Sequence, residues 1–373
     1  MKKLFLLLLF IMSLIPFPAL AESTVYQLFD QQGNIITSIC GDCEAGDEYI
    51  SQTNQHYRVV HIDSSSKTAV AEHLGTASMP DVSWLNADDS QPVASLGQKK
   101  IALYCTHSDE SYVEGDGTES VEGSGGIYDI ASALATEFEK MGVEVFQSNE
   151  THLPHDAGAY RRSRQTAISL LKERPNAIFD IHRDGIPDPE EYQTTVGNEQ
   201  MSMVRLLVGK SNQNKEANLQ FAKQIKAIAD KTRPGLIKDI YMGKGSYNQD
   251  LAPRSVLLEF GTHTLPKELV LKSVQPMSEV IYKALFGGVV GSAGASDVTS
   301  QTKENASSQA GTTPATKDNS GASWALWIVL GLIGAIGVFA FLSTGGKGAG
   351  KKWGRSLNEM TGGLFGKKPP RDN

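Results

Sequence analysis

The sequence predicts an α/β protein, a mostly parallel sheet flanked by helices, preceded by a small β-rich domain and followed by a single C-terminal transmembrane helix. Three observations carry this. Short apolar runs at 101–105, 177–181 and 255–260 alternate with stretches of helical period, the pattern of strands and crossover helices. Residues 24–61 instead alternate with period two between closely spaced turn signals, as hairpins do. Residues 324–342 are uncharged and almost wholly apolar, close to the ~20 residues needed to cross a bilayer core of ~30 Å.

The ends of the 373-residue chain are read first. Lys2 and Lys3, an apolar run from Leu4 to Ile15 and the small residues Ala19 and Ala21 make residues 1–21 a secretory signal peptide. Beyond the span at 324–342, the tail 343–373 carries Lys347, Lys351, Lys352, Arg355, Lys367, Lys368 and Arg371 against Glu359 and Asp372. The positive-inside rule puts such a tail in the cytoplasm and the rest of the mature chain outside. The formal charge is −7 although this tail is basic, so the exported part is acidic and nucleic acid is not an expected partner. Cys40 and Cys43 read as a local hairpin disulfide or as two free thiols, and Cys105 as a small core residue.

Within the mature chain, residues 22–76 form the expected β-rich domain, with strands near 24–29, 35–39, 48–52 and 56–62. Residues 77–97, rich in Ser, Asp, Pro and Asn, are the linker to an α/β domain at 98–286. That domain opens with the strand KKIALYCTH at 99–107 and a loop rich in Gly and Glu at 108–126. A helix follows at 127–141, with Ile127, Ile130, Ala131, Leu134 and Phe138 at helical spacing and Gly142 as its stop. Next come a strand at 143–146, a helix at 160–174 stopped by Pro175, and the strand beginning at Ala177. After a loop rich in Asp, Pro and Glu come a strand at 203–209, a helix at 215–231, the strand SVLLEF from Ser255 and a last helix over 266–285. Residues 287–323, rich in Gly, Ala, Ser and Thr, make a flexible tether.

Three strand ends offer His107, His182 and Glu259. In an open α/β sheet the carboxyl ends of the strands are where ligands and catalytic groups gather. Catalytic zinc needs three protein ligands and an open position. His107 and His182 supply two. Glu110, Glu114, Asp116, Glu119 and Glu122 compete for the third, and Glu122 is favoured because the first turn of the next helix would hold its carboxylate, with Glu119 as the rival. Glu259 would take the proton from attacking water and deliver it to the leaving amine. Neither an HExxH helix, a GxSxG elbow nor a Walker loop occurs.

The segments THSDESY, HDAGAYRRSR at 155–164, FDIHRDG and YNQDLAPRSVLLEFG, with the helix after Gly261, resemble the stage II sporulation protein P family over residues 98–286. That family is similar in fold and zinc site to N-acetylmuramoyl-L-alanine amidases of the amidase_3 type, with a phosphorylase/hydrolase-like sheet. The resemblance implies zinc as cofactor, His107 and His182 as its histidine ligands, Glu122 as the acidic ligand and Glu259 as the catalytic glutamate. It implies peptidoglycan as substrate, cut at the amide between muramic acid and L-alanine, with cross-linking peptides as a further target. Cell-wall remodelling, sporulation engulfment and companion engulfment proteins as partners follow from the same likeness. His155, Tyr160, Arg161, Arg183 and Asn248 are expected to line the substrate groove, where arginines suit carboxylates. The alternative is a non-catalytic peptidoglycan-binding or complex-forming protein on the same fold.

Overall fold

A computed structural model describes residues 24–86, 97–156 and 158–287. The expected signal peptide, the membrane span, the basic tail and nearly all of the tether lie outside the described residues. Among the described residues, no helix is long and apolar enough to cross a membrane.

The α/β part contains β6 (Lys100–Tyr104), α1 (Ile127–Lys140), β7 (Glu144–Gln147), α2 (Ala159–Leu171), β8 (Ala177–Asp184), β11 (Val204–Gly209), α3 (Lys215–Thr232), β12 (Ile237–Gly243), β13 (Ser255–Thr262) and α4 (Lys267–Phe286). Each expected helix is present within a few residues of its predicted bounds. A hairpin of β9 (Gln193–Val196) and β10 (Glu199–Ser202) stands in the loop after β8 as a separate two-stranded sheet. Ahead of these lie β1 (Val25–Asp30), β2 (Ile35–Cys40), β3 (Glu48–Ile50), β4 (Gln55–Asp63) and β5 (Thr68–Thr76).

All strands except β9 and β10 join one sheet in the order β2-β1-β5-β4-β3-β12-β11-β13-β8-β6-β7. From β13 to β7 neighbours are parallel, whereas β11 runs antiparallel to β13 and β12 parallel to β11, so the sheet is mixed. The expected boundary after the β-rich segment is not a break in the sheet, because β3 pairs antiparallel with β12, Ile50 opposite Ile240. Nor is the start of the linker a detached strand of chain: Ala77 is buried, and Met79, Val82, Trp84 and Leu85 pack on the main core.

Alternation of side chains across the strands builds both faces. Ile101, Leu103, Phe179, Leu206, Leu258 and Phe260 join the core shared with the apolar stripes of α1, α3 and α4. On the opposite face Ala102, Tyr104 and Ile178 pack with Ala167 and Leu171 of α2. Farther along that face Leu207, Tyr241 and Leu257 share a core with Leu28, Ile39, Val59 and Ala69, so the N-terminal strands also cover the sheet. His182, Arg205 and Glu259 alternate in step with the residues of this second face.

Candidate metal centre

His107 lies just past β6, and its segment is pinned by buried Asp180 of β8, which accepts the Thr106 amide at 2.8 Å and its hydroxyl at 2.6 Å. His182 stands on β8, directly opposite Glu259 in the register with β13. Between the two histidines sits Glu110, 3 % exposed. Its Oε1 is 3.1 Å from His107 Nδ1 and 3.3 Å from His182 Nδ1, and its Oε2 accepts the Arg183 amide at 2.9 Å. One ligand atom from each of His107, Glu110 and His182 can be chosen so that all lie within 4.8 Å of one another.

The glycine-rich loop explains why Glu110 occupies this place. Directly after His107 the chain turns, the Glu110 amide reaching the His107 carbonyl, and the loop then folds back on itself with Ser111 bonded to Glu119 and Val121 to Asp109. A Cβ on Gly125 would lie 2.4 Å from the Glu110 carbonyl oxygen, so glycine there lets the returning strand of the loop press against Glu110. The same fold leaves Glu119 and Glu122 exposed. Glu122, expected as the third ligand, stands outside this cluster, and Glu110 takes the place between the histidines: a tight turn three residues past His107 outweighs the pull of the next helix's first turn. The rival Glu119 is also excluded from the cluster, its carboxylate standing 3.6 Å from His263 Nε2.

Burial pushes Glu110 up, but the positive character of His182, the hydrogen bonds of both histidines and nearby Arg183 outweigh it and hold the carboxyl well below the usual range. His107 is lowered, chiefly by burial. Burial also opposes charge on His182, yet Asp180 and Glu110 raise it well above an ordinary histidine. Glu259 behaves oppositely to Glu110: burial, then the charge of Asp184, push it up to about 8. The Tyr192 hydroxyl is 3.1 Å from its Oε2, and Arg205 Nη1 is 3.7 Å away.

The donor set fits a zinc ion. Two imidazoles and a carboxylate are the ligand types of catalytic zinc sites. His182 Nε2 lies 3.0 Å from Asp180 Oδ1, so that carboxylate backs the imidazole on the side away from Glu110, which faces Nδ1.

The expected groove residues divide. His155 stacks on His107 with ring centroids 4.0 Å apart and bonds Asp109 through Nδ1 at 3.0 Å. Tyr160 stands edge-on to His107 at 5.4 Å and stacks on His182 at 6.3 Å. These two lie against the histidines of the cluster. Asn248 is buried and ties the loop before β13 to α2, donating to the Tyr160 carbonyl and to Ser163, so it is a brace. Arg183 clamps the glycine-rich loop through the carbonyls of Ser111 and Glu119. Arg161 is exposed on α2. Cys43 is buried, and burial, then Asp47 and Glu44, push its thiol up to about 12. Cys105 is buried as expected.

Sequence reasoning missed Tyr192, Asp184, Arg205 and Tyr247. The last packs edge-on against Tyr160 at 5.3 Å in a loop where Tyr247 and Asn248 both take left-handed backbone angles, φ 52° and 57°. Left-handed angles at consecutive non-glycine residues are uncommon and cost conformational energy. A Cβ on Gly245 would lie 2.5 Å from the Tyr247 ring, so that glycine makes room for it.

The model of the stage II sporulation protein P family matches residues 41–282. The chain belongs to the stage II sporulation protein P family. Among curated relatives, the stage II sporulation protein P of Bacillus subtilis (strain 168) is 29% identical over 198 residues, which cover 47% of this chain and 49% of that protein. The chain thus spans about half the length of the relative it matches. Among solved structures, N-acetylmuramoyl-L-alanine amidase AmiC2 of Nostoc punctiforme is 13% identical with a TM-score of 0.34, over 51% of this chain and 96% of that one. The CwlD amidase of Clostridioides difficile, solved in complex with the GerS lipoprotein, is 18% identical with a TM-score of 0.33, over 50% and 96%. Likeness at these scores is too loose to carry an activity across.

Proposed function

We propose that this member of the stage II sporulation protein P family is an exported zinc-dependent peptidoglycan hydrolase that cuts the amide between the lactyl group of N-acetylmuramic acid and L-alanine. The observation behind this reading is the meeting of His107, Glu110 and His182 within 4.8 Å, with Glu259 opposite His182 across paired strands. Zinc, when held by these three residues, supplies Lewis acidity toward an amide carbonyl and makes water a stronger acid. Glu259 accepts a proton from the attacking water and returns it to the leaving amine nitrogen. His155 and Tyr160 wall the site beside His107 and provide faces against which a sugar or peptide can lie.

In this reading residues 1–21 direct export, residues 324–342 anchor the chain and the basic tail stays in the cytoplasm. Membrane fractionation with protease added from outside should remove the catalytic part and leave a short tail-bearing fragment. The activity test is isolated cell-wall sacculi incubated with the purified chain, with mass spectrometry of what is released. Stem peptides beginning with free L-alanine, lost on chelation and in His107→Ala, support the amidase. Cut cross-links with the lactyl amide intact would make it an endopeptidase, and no release from zinc-loaded protein would reject hydrolysis.

A further inference from the structure

The buried charges around Glu259 form one connected group. Arg205 of β11 is 2 % exposed. Its Nε donates to Asp239 Oδ1 at 2.8 Å, its Nη2 to Asp239 Oδ2 at 3.0 Å and to the Ser38 carbonyl at 3.1 Å, and its Nη1 to Asp184 Oδ2 at 2.8 Å. That same Asp184 oxygen accepts the Tyr192 hydroxyl at 2.7 Å. Tyr192 Oη is also 3.1 Å from Glu259 Oε2, whereas Arg205 Nη1, at 3.7 Å, is beyond hydrogen-bond reach. Among the described residues, the Tyr192 hydroxyl is thus the group hydrogen-bonded to the Glu259 side chain. The Tyr192 ring is fully buried, so its hydroxyl has a fixed position.

We propose that Tyr192 is a positioning residue that holds the Glu259 carboxyl in place throughout the proton transfers, with Asp184 and Arg205 holding Tyr192 in turn. The inference rests on Glu259 being the proton carrier of the function proposed above. A guanidinium or ammonium only donates, so it offers no acceptor for the O–H of a carboxyl that has become neutral. A hydroxyl both donates and accepts. When Glu259 is ionised the phenol donates to it. Once Glu259 carries the proton, it donates to the phenol oxygen, and the phenolic hydrogen turns to Asp184 Oδ2. Asp184 keeps Arg205 Nη1 as a partner in both states, so one phenolic hydrogen serves both arrangements and no proton leaves the tyrosine. The far end of the chain of contacts, the Ser38 carbonyl, belongs to β2, which ties the N-terminal strands to this support.

The test uses the full chain loaded with zinc and the variants Tyr192→Phe, Glu259→Gln and the double variant, assayed on a soluble muramyl peptide. Loss of the hydroxyl should lower kcat by about 10²-fold, the scale of a small misplacement of a reacting group, with KM, zinc content and melting temperature unchanged. In the Glu259→Gln background the same change should cost nothing further, since residues acting as a unit are not additive. Independently of turnover, the carboxyl 13C resonance of Glu259, identified by its absence in Glu259→Gln, should move in Tyr192→Phe while the other glutamate resonances stay. An active wild type whose kcat and Glu259 resonance are both untouched by Tyr192→Phe overturns the inference. So does a loss of kcat that comes with loss of zinc or of melting temperature, or one that repeats in full on the Glu259→Gln background. A wild type that releases nothing, while the Glu259 resonance still moves, removes the hydrolase reading and leaves the positioning in place.

Discussion

Glu110 and Glu259 are both glutamates with little exposure at one site, and their surroundings drive them apart. Glu110 sees two imidazoles and a backbone amide and is held well below the usual carboxyl range, while burial and then Asp184 push Glu259 toward the neutral acid. Different roles follow. Glu110→Gln should remove most of the bound zinc in metal analysis and abolish hydrolysis, whereas Glu122→Gln, on the exposed side of the loop, should leave both at wild-type levels. Glu259→Gln should retain zinc and lose about 10²- to 10⁴-fold in kcat, the usual contribution of a general acid–base group. Zinc lost along with activity in Glu259→Gln would contradict this division. Both histidines and Glu259 are legible in the sequence because each ends an apolar run. The choice among the loop's acids is not, since it depends on where a glycine-rich chain turns back, and several glutamates offer the same chemistry.

At the scale of elements, the N-terminal strands and the α/β part unfold as one body if the shared core is what holds them. Leu28 of β1 is fully buried with Leu207, Tyr241 and Leu257 from β11, β12 and β13. Leu28→Ala should therefore destabilise the protein by about 2–5 kcal/mol. Urea unfolding followed by tryptophan fluorescence and by far-ultraviolet circular dichroism should give coincident transitions in both proteins. Separate transitions, with only one displaced by Leu28→Ala, would mean that the strands are an independent module. Local alternation makes the hairpins legible but says nothing of what β3 pairs with, because Ile50 and Ile240 are far apart in the chain. The strand β12 escapes sequence reading for a related reason. Lys238 and Asp239 interrupt its apolar run, and they are tolerable there only because Glu191 lies 2.5 Å from Lys238 Nζ and Arg205 lies 2.8 Å from Asp239. The helices, whose burial is written in residues three and four apart, needed no such distant partners and were predicted to within a few residues.

Across the whole molecule, two glutamates tilt stability in opposite directions with pH. Glu48 joins β3 to His56 of β4 and to Lys210 after β11; the hydrogen bond from His56 and the contacts with Lys210 outweigh burial and lower it to about 2. Its folded pKa lies below the unfolded value of 4.5, so its stabilisation is present above pH 4.5 and is lost as pH falls through about 2. Glu259 is raised from 4.5 to about 8 by burial and then by Asp184, so the metal-free folded state holds a proton that the unfolded chain releases. Between those values the folded protein binds more protons, and stability falls as pH rises, reaching its full penalty above about pH 8. Urea midpoints measured with a chelator present should therefore show Glu259→Gln indistinguishable from wild type near pH 4 and more stable than wild type at pH 8. Glu48→Gln should show the converse ordering, less stable than wild type above pH 4.5 and converging with it toward pH 2. A stabilisation of Glu259→Gln that stayed constant from pH 4 to pH 8 would show that packing, and not the buried charge, separates it from wild type. If it instead grows with pH as described, the protein sacrifices stability at neutral pH to keep Glu259 in a site where a proton can be taken up and given back.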